Sequence, residues 1–257
     1  MRRHRFMRLF PLVLLVVLVQ GCAASVQPKL STYLGKGSIQ ESSHASVLSH
    51  FQQGNKLSAG LLVINDTSSP ESAPALSKDS FAGFANDLQR QLEQQFPVTV
   101  VKVLDSREVA SANGKTSIGQ IGKGLGLNFM VLAIVSSSEV EVPDRLPFGG
   151  SLQGLGGRGS VLGFRAENYA LVELALLDVQ TQQLVVQAQG NAWATLERLN
   201  VPLESNVYPV VRRAQLIAPI YPTEDNSHDI LRGVAADDAL KQAFMHLREI
   251  WNDKLSS

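Results

Sequence analysis

Two apolar runs, too short for helices yet unbroken by polar residues, constrain this chain most. Residues 60–64 (GLLVI) end at Asn65-Asp66, and residues 128–135 (NFMVLAIV) form the most apolar stretch after residue 22. A strand buried on both faces shows no polar alternation, because neither face meets water. Between the runs, Phe81, Phe84, Ala85, Leu88, Leu92 and Phe96 recur at helical spacing, with Ser77, Asp79 or Ser80 as candidate caps and Pro97 as the stop. Residues 98–104 (VTVVKVL) are β-branched and read as a strand; residues 116–125 read as a short, glycine-weakened helix. Strand, helix, strand, helix, strand predicts parallel pairing beneath covering helices.

The pattern then changes. Residues 169–178 (YALVELALLD) and 184–193 (LVVQAQGNAW) are strand-like and joined by a short polar link, which predicts a hairpin. A Pro-containing insertion occupies residues 196–233. Leu240, Phe244, Leu247, Ile250 and Trp251 then mark a last amphipathic helix, with Asp237 and Asp238 near its start, where they suit the dipole. The expected fold class is α/β with α+β character. It is a mixed sheet of about five strands, in the order β-α-β-α-β-β-β-α with helices packed on it, forming one domain over residues 58–257. Glu139 and Glu141 alternate with Val140 and Val142, as on the exposed face of a strand entering a Gly-rich loop over residues 143–163.

The N-terminus is an export signal by its own physics. Residues 1–8 carry Arg2, Arg3, His4, Arg5 and Arg8, and residues 9–19 (LFPLVLLVVLV) are an apolar run of eleven. Crossing ~30 Å of hydrocarbon takes about 20 helical residues, so this run is too short for a permanent span. Leu18-Val19-Gln20-Gly21-Cys22 follows and resembles a bacterial lipobox, with Cys22 the single cysteine of the chain. The resemblance implies a signal peptide over residues 1–21, cleavage before Cys22 and acylation of its thiol. Ala23 at the next position implies the outer membrane, facing the periplasm. Residues 22–57, rich in Ser, Gln and Gly, read as a lipidated tether in which Thr32-Tyr33-Leu34 can dock locally.

Charge and motifs exclude several chemistries. With 23 basic and 23 acidic residues the formal net charge is zero, so no global field draws the chain to nucleic acid. Gly154 to Gly159 satisfies Gly-x-Gly-x-x-Gly, but a phosphate-cradling loop must follow a strand directly and open a helix. Here a loop precedes it and a strand-like run follows. Gly114-Lys115-Thr116 imitates the end of a P-loop, yet Val109 stands where the first glycine belongs. No Gly-x-Ser-x-Gly occurs, and His4, His44, His50, His228 and His246 have no metal-ligand spacing. His228 with Asp225 and Asp229 is the one acid–base cluster, read as a solvated loop. No catalytic, metal or cofactor residue is assigned.

Laid out behind a lipobox, this order resembles the TolB-N-terminal-like and CsgG-like α/β domain of bacterial envelope lipoproteins. The resemblance is carried by GLLVIND, FANDLQRQLEQQF, GLNFMVLAIV, ALLDVQTQQLVVQAQG and DDALKQAFMHLREIW. The family often has Asp-x-x-Thr-Gly at the hairpin; Asp178 and Thr181 match, and Gln182 replaces the glycine. A weaker likeness is to rhombotarget lipoproteins, whose C-terminal processing tail this chain lacks. The resemblance implies a non-catalytic, membrane-anchored protein that binds an envelope protein partner, with homo-oligomers allowed. The alternatives are a subunit of an outer-membrane secretion complex, a hydrolase around His228, or a small-ligand binding domain. Residues 142–164 lack the alternation of a barrel-forming strand. In the family, members differ in this loop, so Leu146, Phe148, Leu152, Leu155 and Arg158 are candidate partner or membrane contacts, a disordered surface loop being the alternative.

Overall fold

The structure, a computed structural model, describes residues 26–34, 56–104, 118–148, 159–200, 207–214 and 217–256. Its elements are α1 (Leu30–Leu34), β1 (Leu57–Asp66), α2 (Lys78–Gln95), β2 (Val98–Leu104), α3 (Ile118–Gly124), β3 (Phe129–Phe148), β4 (Gly159–Asp178), β5 (Gln183–Leu199), β6 (Val210–Arg213) and α4 (Ser227–Ser256), with a 3-10 turn at Glu224–Asn226. The sheet has six strands in the order β2-β1-β3-β4-β5-β6. β1 runs parallel to β2 and β3, and the later pairs are antiparallel. The expected mixed α/β sheet is present, with one strand more than expected.

The two apolar runs are continuous because the sheet is covered on both faces. Leu61 and Val63 of β1 pack with Phe84, Leu88 and Leu92 of α2 and Leu240 and Phe244 of α4. Leu62 and Ile64 point the other way, against Leu30 and Leu34 of α1 and Ile118 of α3. Ser77 caps α2, its Oγ accepting from the Ser80 amide at 3.2 Å, and the helix closes at Phe96, before Pro97. In the hairpin turn Asp178 Oδ1 accepts from the amides of Gln180 (2.8 Å) and Thr181 (3.2 Å), and Gln182 takes φ 58°.

Three sequence expectations are corrected. Residues 143–163 are not one loop: β3 continues to Phe148 and β4 begins at Gly159, paired in unbroken register from Phe129↔Asp178 to Phe148↔Gly159. At 20 residues each, these strands reach roughly 65 Å at ~3.3 Å per residue. Past Ser138 no strand among the described residues lies on the outer edge of β3, so Pro143 and Pro147 sit on an edge strand, where proline is tolerated. The span 196–233 is not an irregular insertion either. β5 runs on to Leu199, β6 pairs with it from Ala194↔Arg213 to Glu197↔Val210, and α4 opens at Ser227, ten residues before Asp237. Glu139, finally, is no freely exposed strand residue; His228 and Arg232 hold it.

α4 approaches the sheet closely because its contacting stripe is small. Ala235, Ala239 and Ala243 are fully buried, and a Cβ on Gly190 of β5 would lie 2.2 Å from the Ala239 carbonyl oxygen and 2.3 Å from the Ala243 nitrogen. Glycine is required there by backbone contact. Asp229 in the first turn of α4 clasps the start of α2, accepting from the Ser77 amide (2.8 Å), Ser77 Oγ (2.7 Å) and Ser80 Oγ (2.5 Å). Burial pushes the Asp229 carboxyl up, but these bonds outweigh it and hold the group below its ordinary value.

Candidate functional site

The segment expected to be a tether is instead strapped to the sheet from Val26 to Leu34. Glu173 of β4, nearly buried, receives the amides of Lys29 (2.6 Å) and Leu30 (3.1 Å), supplying acceptors to the donors that open α1. Burial is the dominant influence and holds the Glu173 carboxyl above its usual range despite those bonds. Tyr33 donates its phenol to Asp66 Oδ2 at 2.8 Å, while Ser68 gives Asp66 Oδ1 both its amide (2.8 Å) and its hydroxyl (2.7 Å). Desolvation and the Asp66 carboxylate push the Tyr33 phenol up, and the Asp66 carboxyl lies below its ordinary value because its hydrogen bonds outweigh burial. Leu30 and Leu34 bury beneath, so apolar area and polar pins act together.

Beside the strap the sheet surface forms two adjoining grooves. One, about 510 Å³, lies between Val26 and Pro28 of the strap and Tyr169, Leu171, Asn191 and Trp193 of β4 and β5. The other, about 490 Å³, shares Pro28 and wraps past Glu173, Gln187 and Gln189 to His246 and Ile250 of α4. Here β5 has an open edge: β6 pairs only from Ala194 to Glu197, and no other strand among the described residues pairs with that side. His246 Nδ1 meets the Gln189 carbonyl at 2.7 Å, so that nitrogen is the donor.

His228, the sequence's acid–base candidate, stands in the first turn of α4. Its Nδ1 lies 2.7 Å from Glu139 Oε1, and Arg232 and Asn168 also reach Glu139, each at 3.3 Å. Its sequence neighbours do not join it, since Asp229 turns to Ser77 and Ser80, and Asp225 lies exposed in the 3-10 turn. A His–carboxylate pair is part of a nucleophile-activating triad. Nε2, however, faces Glu141 at 4.0 Å, and no hydroxyl among the described residues hydrogen-bonds the ring. The cluster clamps α4 to the hairpin. No group of three His, Cys, Asp or Glu poised for a metal occurs among the described residues.

The far half of the hairpin is a built element. Arg165 bridges Asp144 (2.9 Å) and Glu197 (3.2 Å), and Arg212 approaches Glu197 at 3.6 Å, so one run of alternating charge crosses β3, β4, β5 and β6. On the opposite face Arg198 bonds Glu141 (2.7 Å) and lies 4.9 Å over the Phe164 ring. Of the predicted contact residues, Leu146 is fully buried with Leu199, Tyr208 and Val210, and Tyr208 donates its phenol to the Pro147 carbonyl at 2.7 Å. It is a packing residue, not a surface contact. The backbone of Phe148 ends β3; Leu152, Leu155 and Arg158 lie outside the described residues, as do Cys22, His4, His44, His50 and Gly114-Lys115-Thr116. Gly159, last of the glycine motif, opens a strand. Sequence reasoning missed Glu173, Asp66 and Gln189; the buried Glu in an otherwise apolar VELALL run was the available signal.

No helix among the described residues is long and apolar enough to cross a membrane, which says nothing of strands. No protein-family model matches the chain, and no curated protein matches it by sequence. Solved structures similar to it include a hypothetical protein from Chlamydia trachomatis, 16% identical, TM-score 0.39, over 77% of this chain and 96% of that one. Another is a putative neuraminyllactose-binding hemagglutinin homolog from Helicobacter pylori, 9% identical, TM-score 0.36, over 79% and 92%. A third is the LpoB C-terminal domain from Salmonella enterica, 15% identical, TM-score 0.27, over 57% and 92%. No functional assignment rests on these similarities.

Proposed function

We propose that the chain is a non-catalytic, lipid-anchored protein of the bacterial envelope, held in the outer membrane and facing the periplasm, that binds a protein partner along the open edge of β5. The observation that carries the partner reading is that edge. Successive residues of a strand turn their main-chain groups to opposite sides. The Gln189 carbonyl meets His246 on the side away from β4, so Gln187, Asn191 and Trp193, of the same parity, also present their N–H and C=O groups outward. Native sheets blunt or cover such an edge unless it is used, and an added strand would gain main-chain hydrogen bonds here. The groove of Gln187, Gln189, His246 and Ile250 flanks the edge and would take side chains of the added strand. Anchoring is supported by the lipobox resemblance at residues 18–22. The clamped geometry of His228 supports a non-catalytic reading.

A photo-crosslinking side chain at Gln187 or Asn191, in whole envelopes, should capture one specific protein that the same group at Lys102 on β2 does not. Equal labelling from both positions would remove the edge from consideration. The hydrolase alternative makes the opposite forecast for His228. His228→Gln keeps a donor toward Glu139, so full biological activity is expected; lost activity at an unchanged melting temperature would favour catalysis.

A further inference from the structure

The described part of the strap begins at Val26, four residues after Cys22. Four residues span at most ~14 Å when fully extended. Val26 lines the groove holding Tyr169 and Trp193, and also a polar cleft of about 70 Å³ holding Ser136 and Ser138. Its place is therefore over the row Ser138–Tyr169–Trp193, which the strand pairing puts side by side. Val140 and Val142 follow Ser138 on the same face, one and two steps farther out. Here the cover provided by α1 and α3 has ended: Val140 is 47% exposed, Val142 48% and Trp193 43%.

We infer that this patch of Trp193, Tyr169, Val140 and Val142 rests on the lipid surface that holds Cys22. The inference depends on the anchoring reading above and adds an orientation to it. An acylated Cys22 lies at the level of the lipid headgroups, and the short link holds the start of the strap, with the patch beside it, next to that layer. Trp and Tyr favour this layer because each joins an apolar body to a polar tip. Of the neighbouring charges, Arg165 is paired between Asp144 and Glu197; Glu167 accepts the neutral Tyr169 phenol at 2.6 Å and keeps its charge, which the hydrated headgroup layer would solvate. Other exposed apolar side chains, such as Val101 and Val103, are on β2, at the opposite margin of the sheet. With this face on the lipid, the open edge of β5 points along the membrane surface, free for a partner.

The test uses the full acylated chain in vesicles of phosphatidylethanolamine and phosphatidylglycerol carrying bromine on the acyl chains. The protein has two tryptophans, and Trp251 is buried against Phe96. Native protein should lose emission to bromine, more to bromine near the headgroup than near the chain end, and Trp193→Phe should abolish that loss. The quenching should persist at high salt and without phosphatidylglycerol, because the contact is apolar. The mass of the N-terminal peptide is measured first. An unmodified Cys22 would end both readings. Acylated, vesicle-bound protein with unquenched Trp193 would overturn this one alone. Shielding of Trp193 from iodide that grows with protein concentration, without bromine quenching, would give the face to a second copy and overturn it too.

Discussion

The two halves of the β3–β4 hairpin share a register but are held by different forces. In the inner half, residues 129–136 pair with 171–178 beneath helices on both faces, and Met130, Leu132 and Ala133 are wholly buried. In the outer half the helical cover ends, Val140, Val142 and Leu162 are about half exposed, and the pairing is fixed by Asp144–Arg165–Glu197, Glu141–Arg198 and a small core around Leu146. Burial sets register in the inner half, because a slip by one residue would turn every apolar side chain to the wrong layer. Cross-strand polar pairs do the same work outside, at smaller energy per pair. The inner half should therefore break globally and the outer half locally.

Gly190→Val gives the largest expected effect. The new side chain meets α4 backbone that cannot move aside alone, and overpacking of this kind costs about 3 kcal/mol. The urea midpoint should fall sharply with a single transition; an unchanged midpoint would show that α4 does not seat on β5 this closely. Leu146→Ala acts at the other end. Loss of a buried leucine costs about 2 kcal/mol or more, but here from a satellite core. Amide exchange should quicken at Val161, Leu162 and Gly163 and stay unchanged from Val131 to Ile134. Equal acceleration in both groups would mean that the halves unfold as one unit.

Asp229 sits where the halves meet, since the first two turns of α4 hold α2 through Asp229 and the hairpin through His228 and Arg232. Its lowered carboxyl makes a signed forecast. The contribution is complete above the unfolded value near pH 4 and is lost as pH falls from there through the lower folded value. Asp66 acts in the same direction. Glu173, raised by burial, acts oppositely, favouring the fold as it takes up its proton. Asp229→Asn should cost about 1 kcal/mol at neutral pH. The melting curves of native and variant protein should converge in acid; a constant gap down to pH 2 would remove the carboxylate from the account.

What could be read from the sequence follows the same division. β1, the start of β3 and the facing stretches of β4 and β5 were legible because two-sided burial leaves unbroken apolar runs. The cap at Ser77 and the stop at Pro97 were legible because they act within a turn. The outer strands were not, because Pro143, Asp144, Arg145 and Pro147 have loop composition, and the partners that make Asp144 and Pro147 part of a sheet, Arg165 and Tyr208, lie far along the chain. The opening of α4 was hidden for another reason: its first turns, SHDILRGVAA, bury Leu231, Val234, Ala235 and Ala236 among glycine, serine and charged residues, too few large apolar side chains to mark a helical stripe. At the candidate site the strap was half legible, in Tyr33 and Leu34. Its acceptor Glu173 stands 144 residues away from Lys29, and the open edge of β5 depends on where β6 stops.

The smallest expected effect tests the turn that begins β5. Gln182 holds φ 58°, the left-handed region that costs an ordinary L-residue ~1 kcal/mol or more and costs glycine little. Gln182 has a compensating contact, because its side chain fills the space before Gly119 of α3, where an added Cβ would come within 2.9 Å of it. Gln182→Gly removes the backbone strain, leaves that space open and frees the unfolded chain. The sum is a gain of roughly 0.5 kcal/mol, reached because the steric term exceeds the other two. In Gly119→Ala, by contrast, the new methyl should displace the Gln182 side chain and lower the melting temperature. Combining the two substitutions should recover most of that loss, since glycine at 182 vacates the room the methyl needs. Strictly additive effects would show that the turn and α3 do not meet through Gln182, and that its left-handed backbone is held by Asp178 alone.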